Sequence, residues 1–367
     1  MNKLLFGLLL SLSLVACNND KPSTTQSSPQ SSSVASSAVA VSAFSGEHTR
    51  LVGRFDLAEA GKARFTWSGS SMEFVFEGSR AQLRIASNER ARFEVAVDGS
   101  RKDLWLEPGE HIYTLAEGLS QGTHQLRVTR LTESFAIVTA FTSDPLVDGQ
   151  LLPAPAAPER RLLVIGDSIT AGYGVEGEDQ HCHYAHDTSN QQLTYAALAA
   201  RALGADLHSI AWSGIGAWRS YGEETPVSPN ILVRYQRTLA NDPDSRWDTA
   251  HYQPQAVVIN IGTNDYWQGS VSEDYRIGMQ ALINQVQSDY PQVPLYLMAS
   301  PMLGGEARES QVEVLKGLAN SNAGVTFADP GRIESGDGLG CDYHPNITTQ
   351  TRLGEALKTL LAEDLGW

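Results

Sequence analysis

The spacing of apolar residues changes between the two halves of this chain, and this change constrains the fold more than any other feature. From about His48 to Asp144, apolar residues recur at every second position, and turns rich in Gly, Ser or Pro separate the runs. After the Pro- and Ala-rich segment 151–158, short strand-like runs alternate with segments of helical periodicity. The first pattern is typical of a β-sandwich, and the second predicts a parallel sheet covered by helices. We therefore expect an all-β jelly-roll domain over residues 46–145 and an α/β domain over residues 159–367.

The α/β half contains alternating strand-like and helix-like segments. The strand-like runs are Leu162–Ile165, Leu207–Ala211, Ala256–Ile261, Leu295–Ala299 and Val325–Ala328. The helix-like segments are Leu193–Leu203, Ile231–Leu239, Glu273–Val286, Gln311–Leu318 and Thr349–Leu361. This order predicts a flavodoxin-like sheet of five parallel strands with helices on both faces. The loops at the carboxyl ends of such strands converge on one edge, where open α/β sheets bind their ligands.

The first 17 residues have the pattern of an export signal. Lys3 precedes an apolar run, Leu4 to Leu14, that is too short to span a bilayer stably. The small residues before Cys17 resemble the lipobox of bacterial lipoproteins, whose cysteine carries the lipid; an ordinary secretory signal is the alternative. Residues 18–45 are rich in Ser, Thr, Gln, Pro and Ala and predict a flexible tether. We expect an exported lipoprotein that contacts the outer membrane, on its periplasmic or cell-surface side, only through its lipid anchor.

The charge balance narrows the class of partner. The chain carries 27 Lys and Arg against 42 Asp and Glu, a formal net charge of −15. Such a charge argues against nucleic acid and other polyanions as partners. A neutral substrate is favoured, because the acidic protein would not repel it.

Four short polar blocks lie in the α/β half. They are Gly166-Asp167-Ser168, Ser213-Gly214-Ile215-Gly216, Gly262-Thr263-Asn264-Asp265 and Asp342-Tyr343-His344-Pro345. The first three directly follow predicted strands, so a parallel sheet would bring them to one edge. A serine hydroxyl is a weak nucleophile until a base takes its proton, and fixed N–H donors stabilise the oxyanion that its attack creates. The blocks supply candidates for each of these roles.

In this order the blocks resemble the SGNH, or GDSL-type, hydrolases over about Arg161 to Trp367. The resemblance implies that Ser168 is the nucleophile and that His344 acts as general base and then general acid. It also implies an oxyanion hole made by the backbone N–H groups of Ser168 and Gly214 and the side-chain amide of Asn264.

One position departs from the pattern of that family. SGNH enzymes usually carry an aspartate three residues before the histidine, and here that position is Cys341. The nearest carboxylate is Asp342, two residues before His344. Either the backbone curls so that the Asp342 carboxylate orients His344 in a triad, or a backbone carbonyl orients it in a Ser–His dyad.

A narrower resemblance covers the chain from about His48 to the end. The β-sandwich, the ending Cys-Asp-Tyr-His-Pro-Asn and the Ser-Gly-Ile-Gly after a tryptophan resemble carbohydrate esterase family 2. That resemblance implies an enzyme without a cofactor that removes acetyl groups from plant polysaccharides such as xylan and glucomannan, with a preference for the 6-position. Aromatic residues beside the blocks are candidates for stacking on sugar rings: Trp212, Trp218, Tyr266 and Trp267.

Two other classes of function remain open at this stage. The four blocks alone also fit an SGNH lipase, a thioesterase or a peptidoglycan O-acetyl esterase. A non-catalytic carbohydrate-binding protein that uses the sandwich is the alternative from a different class. The complete set of Ser168, Asn264 and His344 argues against the binding protein.

The remaining cysteines flank the blocks. We hypothesise a disulfide between Cys182 and Cys341, because disulfides persist in exported proteins; two free thiols are the alternative.

The segment 181–187 contains His, Cys and Asp, which are zinc ligands. Because the implied mechanism needs no metal, we predict instead that this segment is a loop over Ser168.

Overall fold

The computed structural model of the chain describes residues 42–269 and 271–367. The predicted export signal, the predicted lipidation site Cys17 and the predicted tether up to residue 41 lie outside the described residues. Within the described ranges, no helix combines the length and apolarity needed to cross a membrane.

The front half consists of two antiparallel β-sheets that share one hydrophobic core. Its strands are β1 (Thr49–Val52), β2 (Ala63–Phe65), β3 (Ser71–Gly78), β4 (Ala81–Ser87), β5 (Ala91–Val97), β6 (Ser100–Leu106), β7 (Gly109–Ala116), β8 (Gly122–Arg130), β9 (Thr139–Phe141), β10 (Leu146–Val147) and β11 (Gln150–Leu151). One sheet has the order β1-β3-β8-β5-β6, with β11 also paired to β3. The other has the order β10-β4-β9-β2, with β7 also paired to β4.

The alternation read from the sequence accounts for this packing. Along β4, buried and half-buried residues alternate without interruption, so one face of the strand lies in the core. Aromatic side chains from both sheets fill that core, among them Phe65 and Phe93. Between β5 and β6, Asp98 and Gly99 both have positive φ, as the type I′ turn of a two-residue hairpin requires.

The second half is a parallel sheet with helices on both faces. Its strands are β12 (Arg160–Gly166), β13 (Ala205–Ala211), β14 (Ala256–Asn260), β15 (Leu295–Met298) and β16 (Val325–Ala328), in the order β13-β12-β14-β15-β16. Its helices are α1 (Ser168–Ala171), α2 (Tyr195–Leu203), α3 (Ile231–Tyr235), α4 (Ser272–Asp289), α5 (Gly305–Ser321) and α6 (Ile347–Leu365). All neighbouring strands in this sheet run parallel.

Alternate residues of β12 enter two separate cores, one on each face of the sheet. Leu163 and Ile165 pack with residues of α3, α4 and α5, whereas Leu162 and Val164 pack with residues of α2 and α6. A strand buried on both faces reads as a continuous apolar run, which is how this strand appears in the sequence. The predicted fold class, a five-stranded parallel α/β domain behind an all-β sandwich, is confirmed.

Helix α3 is shorter than the periodicity predicts, because the sandwich contacts its carboxyl end. Arg54 is almost fully buried and donates to the backbone carbonyls of Tyr235 and Arg237, the latter at 2.8 Å. The indole of Trp67 donates to the carbonyl of Thr238 at 2.9 Å. These side chains of the sandwich therefore occupy carbonyls that would accept hydrogen bonds from backbone N–H groups if the helix continued.

An ion-pair network also joins the two halves. The guanidinium of Arg50, on β1, donates to both carboxylate oxygens of Asp206, on β13, at 3.0 and 2.9 Å. The same guanidinium donates to Glu73 of β3 at 2.7 Å. The described residues, 42–269 and 271–367, belong to one compact unit.

Candidate active site

Ser168 lies at the carboxyl edge of the parallel sheet, directly after β12. Asp167 accepts a hydrogen bond from the backbone N–H of Ile169 at 3.0 Å and so caps the single turn of α1 that begins at Ser168. Gly166 is required by close packing, since a Cβ there would lie 2.0 Å from Oγ1 of Thr170. The Ser168 side chain is held in this tight turn and opens onto a cavity.

The imidazole of His344 contacts the Ser168 hydroxyl. Nε2 of His344 lies 2.8 Å from Oγ of Ser168, and Nδ1 lies 3.1 Å from the backbone carbonyls of both Cys341 and Asp342. Because carbonyls only accept, Nδ1 carries the proton and Nε2 is left free to accept the serine proton. The ring of Tyr173 stacks on the imidazole with 4.2 Å between centroids. Burial lowers the pKa of His344 below its ordinary value, against the raising effect of the two carbonyls.

Asp342 does not occupy the place of the orienting carboxylate that a triad would need. Its carboxylate accepts from the hydroxyl of Tyr173 at 2.6 Å and lies 2.8 Å from Nδ1 of His183. Asp342 and Tyr343 both have left-handed backbone, with φ of 51° and 64°. This curl directs main-chain carbonyls at His344 and turns the Asp342 side chain away. Of the two sequence-based alternatives, the geometry matches the one in which a backbone carbonyl orients His344.

The three predicted oxyanion donors lie on neighbouring loops of the same edge. Within the described part of the chain, neither the backbone N–H of Ser168 nor that of Gly214 donates to a protein acceptor. Nδ2 of Asn264 donates to the carbonyl of Ile215 at 2.8 Å, and its second hydrogen remains available. Gly214 has a φ of 79°, a conformation that favours glycine.

A buried carboxylate fixes the second loop against the third. Asp265 accepts from the backbone N–H groups of Ala217, Trp218 and Arg219 at 2.9, 2.7 and 3.1 Å. Burial raises the pKa of Asp265 to about 6, and these three donors oppose the shift. The loop that carries Gly214 is therefore anchored directly to the residue after Asn264. Sequence reasoning missed this role, which the Gly-Thr-Asn-Asp pattern itself could have indicated.

Cys182 and Cys341 are joined by a disulfide in the structure, with a sequence separation of 159 residues. The carbonyl of Cys182 also accepts from the N–H of Asp342 at 3.0 Å. The segment 181–187 is thereby held as a loop beside the segment that carries His344, and its predicted position over Ser168 stays a prediction. Within residues 42–269 and 271–367, no group of three or more His, Cys, Asp or Glu side chains could hold a metal.

A cavity of about 570 Å³ opens above Ser168. It is lined by Ser168, Tyr173, Ser213, Gly214, Tyr221, Thr263, Asn264, Tyr266, Trp267, Met302, Leu303, Asp342 and His344. A larger cavity of about 830 Å³ lies between the two halves and includes no residue of the four blocks. The smaller cavity is the candidate site because the reactive side chains converge there, and size alone does not define a site.

Two of the four predicted aromatic residues line this cavity. Tyr266 is almost fully buried, whereas Trp267 is half-buried and lies 5.5 Å from the ring of Tyr221. Tyr221 is 68% exposed and was missed, since it lies in an irregular loop with no sequence pattern. Tyr221 and Trp267 form an aromatic pair at the mouth of the cavity.

The other two predicted aromatics do not line the cavity. The ring of Trp212 packs beneath the guanidinium of Arg234, 3.5 Å from ring centroid to Cζ, and against Phe135. Trp218 lies beside Arg219 and belongs to the loop that Asp265 anchors. Trp212 directly precedes the second block and Trp218 follows it, so closeness in sequence to the block does not place either ring in the cavity.

Comparison with known proteins identifies the class. Residues 164–351 match the family described as GDSL-like Lipase/Acylhydrolase, and residues 51–155 match the domain described as Carbohydrate esterase 2 N-terminal. A family two carbohydrate esterase from Clostridium thermocellum, solved with cellohexaose, is 32% identical, with a TM-score of 0.83 over 87% of this chain and 99% of that one. The chain belongs to the family 2 carbohydrate esterases.

Two curated relatives agree with this assignment. The cellulase/esterase CelE of Acetivibrio thermocellus is 34% identical over 86% of this chain, but the chain spans only 39% of CelE. An acetylxylan esterase / glucomannan deacetylase of Cellvibrio japonicus is 28% identical over 82% of this chain and 86% of that protein. The resemblance to this family that the sequence predicted is confirmed.

Proposed function

We propose that this protein is an exported serine esterase that removes O-acetyl groups from plant polysaccharides such as xylan and glucomannan. The observation that carries the proposal is the 2.8 Å contact between Oγ of Ser168 and Nε2 of His344, with Nδ1 of His344 held by backbone carbonyls. The names of the relatives from Cellvibrio japonicus support the substrate class.

The proposed reaction proceeds through an acetyl-enzyme. Nε2 of His344 takes the hydroxyl proton as Oγ of Ser168 attacks the acetyl carbonyl. The backbone N–H groups of Ser168 and Gly214 and the amide of Asn264 donate to the tetrahedral oxyanion. His344 then gives its proton to the sugar oxygen as that oxygen leaves. Water then attacks the acetyl carbonyl as Nε2 of His344 takes a proton from it, and His344 passes that proton to Oγ of Ser168 as acetate leaves.

Backbone carbonyls replace the usual carboxylate as the group that orients the base. The carbonyls of Cys341 and Asp342 accept from Nδ1 of His344 and favour its charged form, as their raising effect on its pKa indicates. The carboxylate of Asp342 adds a longer-range contribution in the same direction. We therefore assign the chain a Ser–His dyad in which Asp342 acts through its main chain and its charge.

The shape of the cavity supports a carbohydrate ester as the substrate. Tyr221 and Trp267 present aromatic surface at the mouth, and a neutral sugar ring can pack there without repulsion from the acidic protein. An ester on a primary 6-hydroxyl extends from its ring by one additional carbon. That extension would let the acetyl group reach Ser168 while the ring stays on the aromatic pair, so we propose a 6-O preference.

Export and anchoring belong to the same proposal. The pattern of residues 1–17 supports an export signal with Cys17 as the lipidated residue. A disulfide between Cys182 and Cys341 suits an oxidising compartment outside the cytosol. Fractionation of wild type and Cys17→Ser tests this: we expect the wild type in membranes and the variant in the soluble exported fraction. Both proteins in the cytosol would contradict it.

The central experiment compares two ester classes. Acetate release from acetylated glucomannan and xylan is measured for wild type and Ser168→Ala, beside hydrolysis of long-chain acyl esters. We expect acetate release by the wild type alone. Hydrolysis of long-chain esters without acetate release would instead assign a lipase. No serine-dependent turnover on any ester, with binding to the polysaccharide, would assign a carbohydrate-binding protein.

Two further substrate comparisons sharpen the result. Monosaccharides acetylated at a single position test the proposed 6-O preference, which equal rates at the 2-, 3- and 6-positions would contradict. Acetylated peptidoglycan tests the remaining alternative, and faster acetate release from it than from glucomannan would reassign the substrate.

A further inference from the structure

A loop of the sandwich, residues 131–137, reaches into the active-site half beside the oxyanion donors. The carbonyl of Leu131 accepts from the backbone N–H of Gln191 at 3.1 Å. The ring of Phe135 lies edge-on to Tyr184 and Trp212, with centroids 5.3 and 5.9 Å apart. The loop therefore packs against both the disulfide-bonded segment and the tryptophan that precedes the second block.

A buried arginine holds this loop in shape. The guanidinium of Arg130, which is fully buried, donates to the backbone carbonyls of Thr132, Glu133 and Ile137 at 3.1, 2.6 and 3.2 Å. These bonds bind the loop at three points along its length, so the side chain of Glu133 projects from a rigid support.

Glu133 is a charged residue type in a place where a charge is costly. Its side chain is 0% exposed, and Oε1 accepts a short hydrogen bond from the hydroxyl of Ser213. Oε2 is buried and, among the described residues, has no hydrogen-bond partner. Burial raises the pKa of Glu133 to about 7, while the hydroxyl and backbone N–H of Ser213 favour the ionised form. Packing alone would be served better by an apolar side chain of the same size.

Ser213 matters because its peptide group carries the N–H of Gly214. On the carboxyl side of this peptide group, the carbonyl of Gly214 is already held, because it accepts from the N–H of Tyr221 at 2.8 Å. On the near side, the N–H of Trp212 donates to the carbonyl of Gly166 at 3.2 Å. The N–H of Ile215 also donates to the carbonyl of Trp212 at 3.3 Å, which closes the turn around Ser213 and Gly214. Glu133 adds a constraint from the sandwich by accepting a hydrogen bond from the hydroxyl of Ser213.

We infer that Glu133 is a positioning residue of the oxyanion hole, supplied by the sandwich, which aims the backbone N–H of Gly214 through Ser213. This inference rests on the proposed function, because it assumes that Gly214 stabilises the oxyanion. Glu133 touches no reacting atom, so it acts only by fixing the donor. Misaiming a donor weakens transition-state binding more than ground-state binding, so kcat falls while KM changes little.

The test uses a small acetyl ester, so that polysaccharide binding does not contribute. Three variants are compared with wild type: Glu133→Ala, Ser213→Ala and the double variant. We expect each single variant to lose about tenfold or more in kcat, with KM within about twofold, as for a partly lost oxyanion donor. The double variant should be no slower than the slower single variant, because both changes break one contact. Glu133→Gln, which keeps an acceptor for Ser213, should recover most of the rate lost in Glu133→Ala.

Glu73→Ala is the matched control. Glu73 is also a buried carboxylate of the sandwich, but it pairs with Arg50 and Arg127 rather than with the active-site loops. We expect this variant to lower the thermal midpoint and leave kcat unchanged. It separates a general loss of stability from the specific effect expected at Glu133.

The outcomes separate a failure of the proposed function from a failure of the role inferred for Glu133. Wild type without serine-dependent turnover would overturn the proposed function and this inference together. An active wild type with a folded Glu133→Ala whose kcat is unchanged would overturn only the role of Glu133, as would losses that add in the double variant. If Glu133→Ala does not fold, Ser213→Ala decides: a reduced kcat at an unchanged thermal midpoint supports the inference, and an unchanged kcat overturns it.

Discussion

Asp342 offers its main-chain carbonyl, and not its carboxylate, to Nδ1 of His344. The carboxylate is engaged by Tyr173 and His183 instead. An uncharged main-chain carbonyl thus contacts the imidazole at the nitrogen where a triad would place a carboxylate. An orienting carboxylate in a serine triad is worth about 10⁴ in turnover, so the difference is measurable.

Asp342→Asn should therefore retain kcat/KM within about tenfold of wild type, far above the loss expected for a triad aspartate. Asparagine tolerates the left-handed backbone at this position, so the carbonyl that contacts His344 stays in place. Ester hydrolysis by the purified variant, with its thermal midpoint, checks this. A loss of a thousandfold at an unchanged midpoint would show that the carboxylate takes part after all.

The pH profile should report the burial of His344. Its pKa is lowered by burial, and only the neutral imidazole can take the serine proton. Activity is therefore present above this pKa and lost below it, so the acidic limb of kcat/KM should lie below the ordinary histidine value of about 6.5. Initial rates across about pH 4 to pH 8, after a check that the enzyme survives each pH, measure it. An acidic limb above neutrality is the contrary result.

Asn264→Asp should lower kcat by about 10²–10³, because it replaces an N–H donor of the oxyanion hole with an acceptor of the same shape. The substitution also removes the donor to the carbonyl of Ile215, so stability must be followed in parallel. Steady-state kinetics with a small acetyl ester separate kcat from KM. Thr263→Ser, beside it, keeps its hydroxyl and serves as the control. A variant with near-wild-type kcat would exclude Asn264 from the oxyanion hole.

Cys182→Ser should reduce both stability and activity. The disulfide closes a loop of 159 residues, for which the chain-entropy view gives a loss of about 3–5 kcal/mol in the free energy of unfolding. Activity should fall as well, because the carbonyl of the bonded Cys341 accepts from His344. Denaturant unfolding and ester hydrolysis, with and without reductant, measure the two effects. If wild type is fully alkylated without reductant, the bond is absent and the prediction fails.

Trp267→Ala and Tyr221→Ala should weaken binding of polysaccharide without affecting a small ester. Loss of one aromatic contact of about 1–2 kcal/mol corresponds to roughly a tenfold rise in KM for acetylated glucomannan. Because Trp267 also donates from its indole to the carbonyl of Glu223, Tyr221→Ala is the cleaner variant. Trp212→Phe, at a ring that does not line the cavity, is the matched control. Equal effects on the polysaccharide and on the small ester would argue against a sugar-stacking role.

The fold could be predicted from the sequence because strands and helices follow local pattern, whereas the pairing of Ser168 with His344 is what the resemblance to the SGNH hydrolases implies. Period-two runs predict the sandwich strands, and the buried apolar run before Ser168 predicts β12. Because three polar blocks follow parallel strands, the sequence also predicts that Ser168, Gly214 and Asn264 lie at one edge of the sheet. These inferences need only the general geometry of strands and sheets.

Other features depend on geometry that residue types do not reveal. The orientation of His344 follows from consecutive left-handed residues, Asp342 and Tyr343, and neither is a glycine that would signal such a turn. Tyr221 reaches the cavity from an irregular loop, and Glu133 reaches Ser213 from another domain, 80 residues earlier. Such long-range approaches are set by how the halves pack, which no spacing within one segment predicts.

The contacts of Arg54 and Trp67 have a consequence for how this protein can be divided. Both side chains, from the sandwich, satisfy backbone carbonyls at the end of α3, and both are sealed from solvent. Cutting the chain at the Pro- and Ala-rich connector, where the sequence looks most divisible, would leave those carbonyls unpaired. We therefore expect that neither half is stable when it is produced alone, and that the two must be made as one polypeptide.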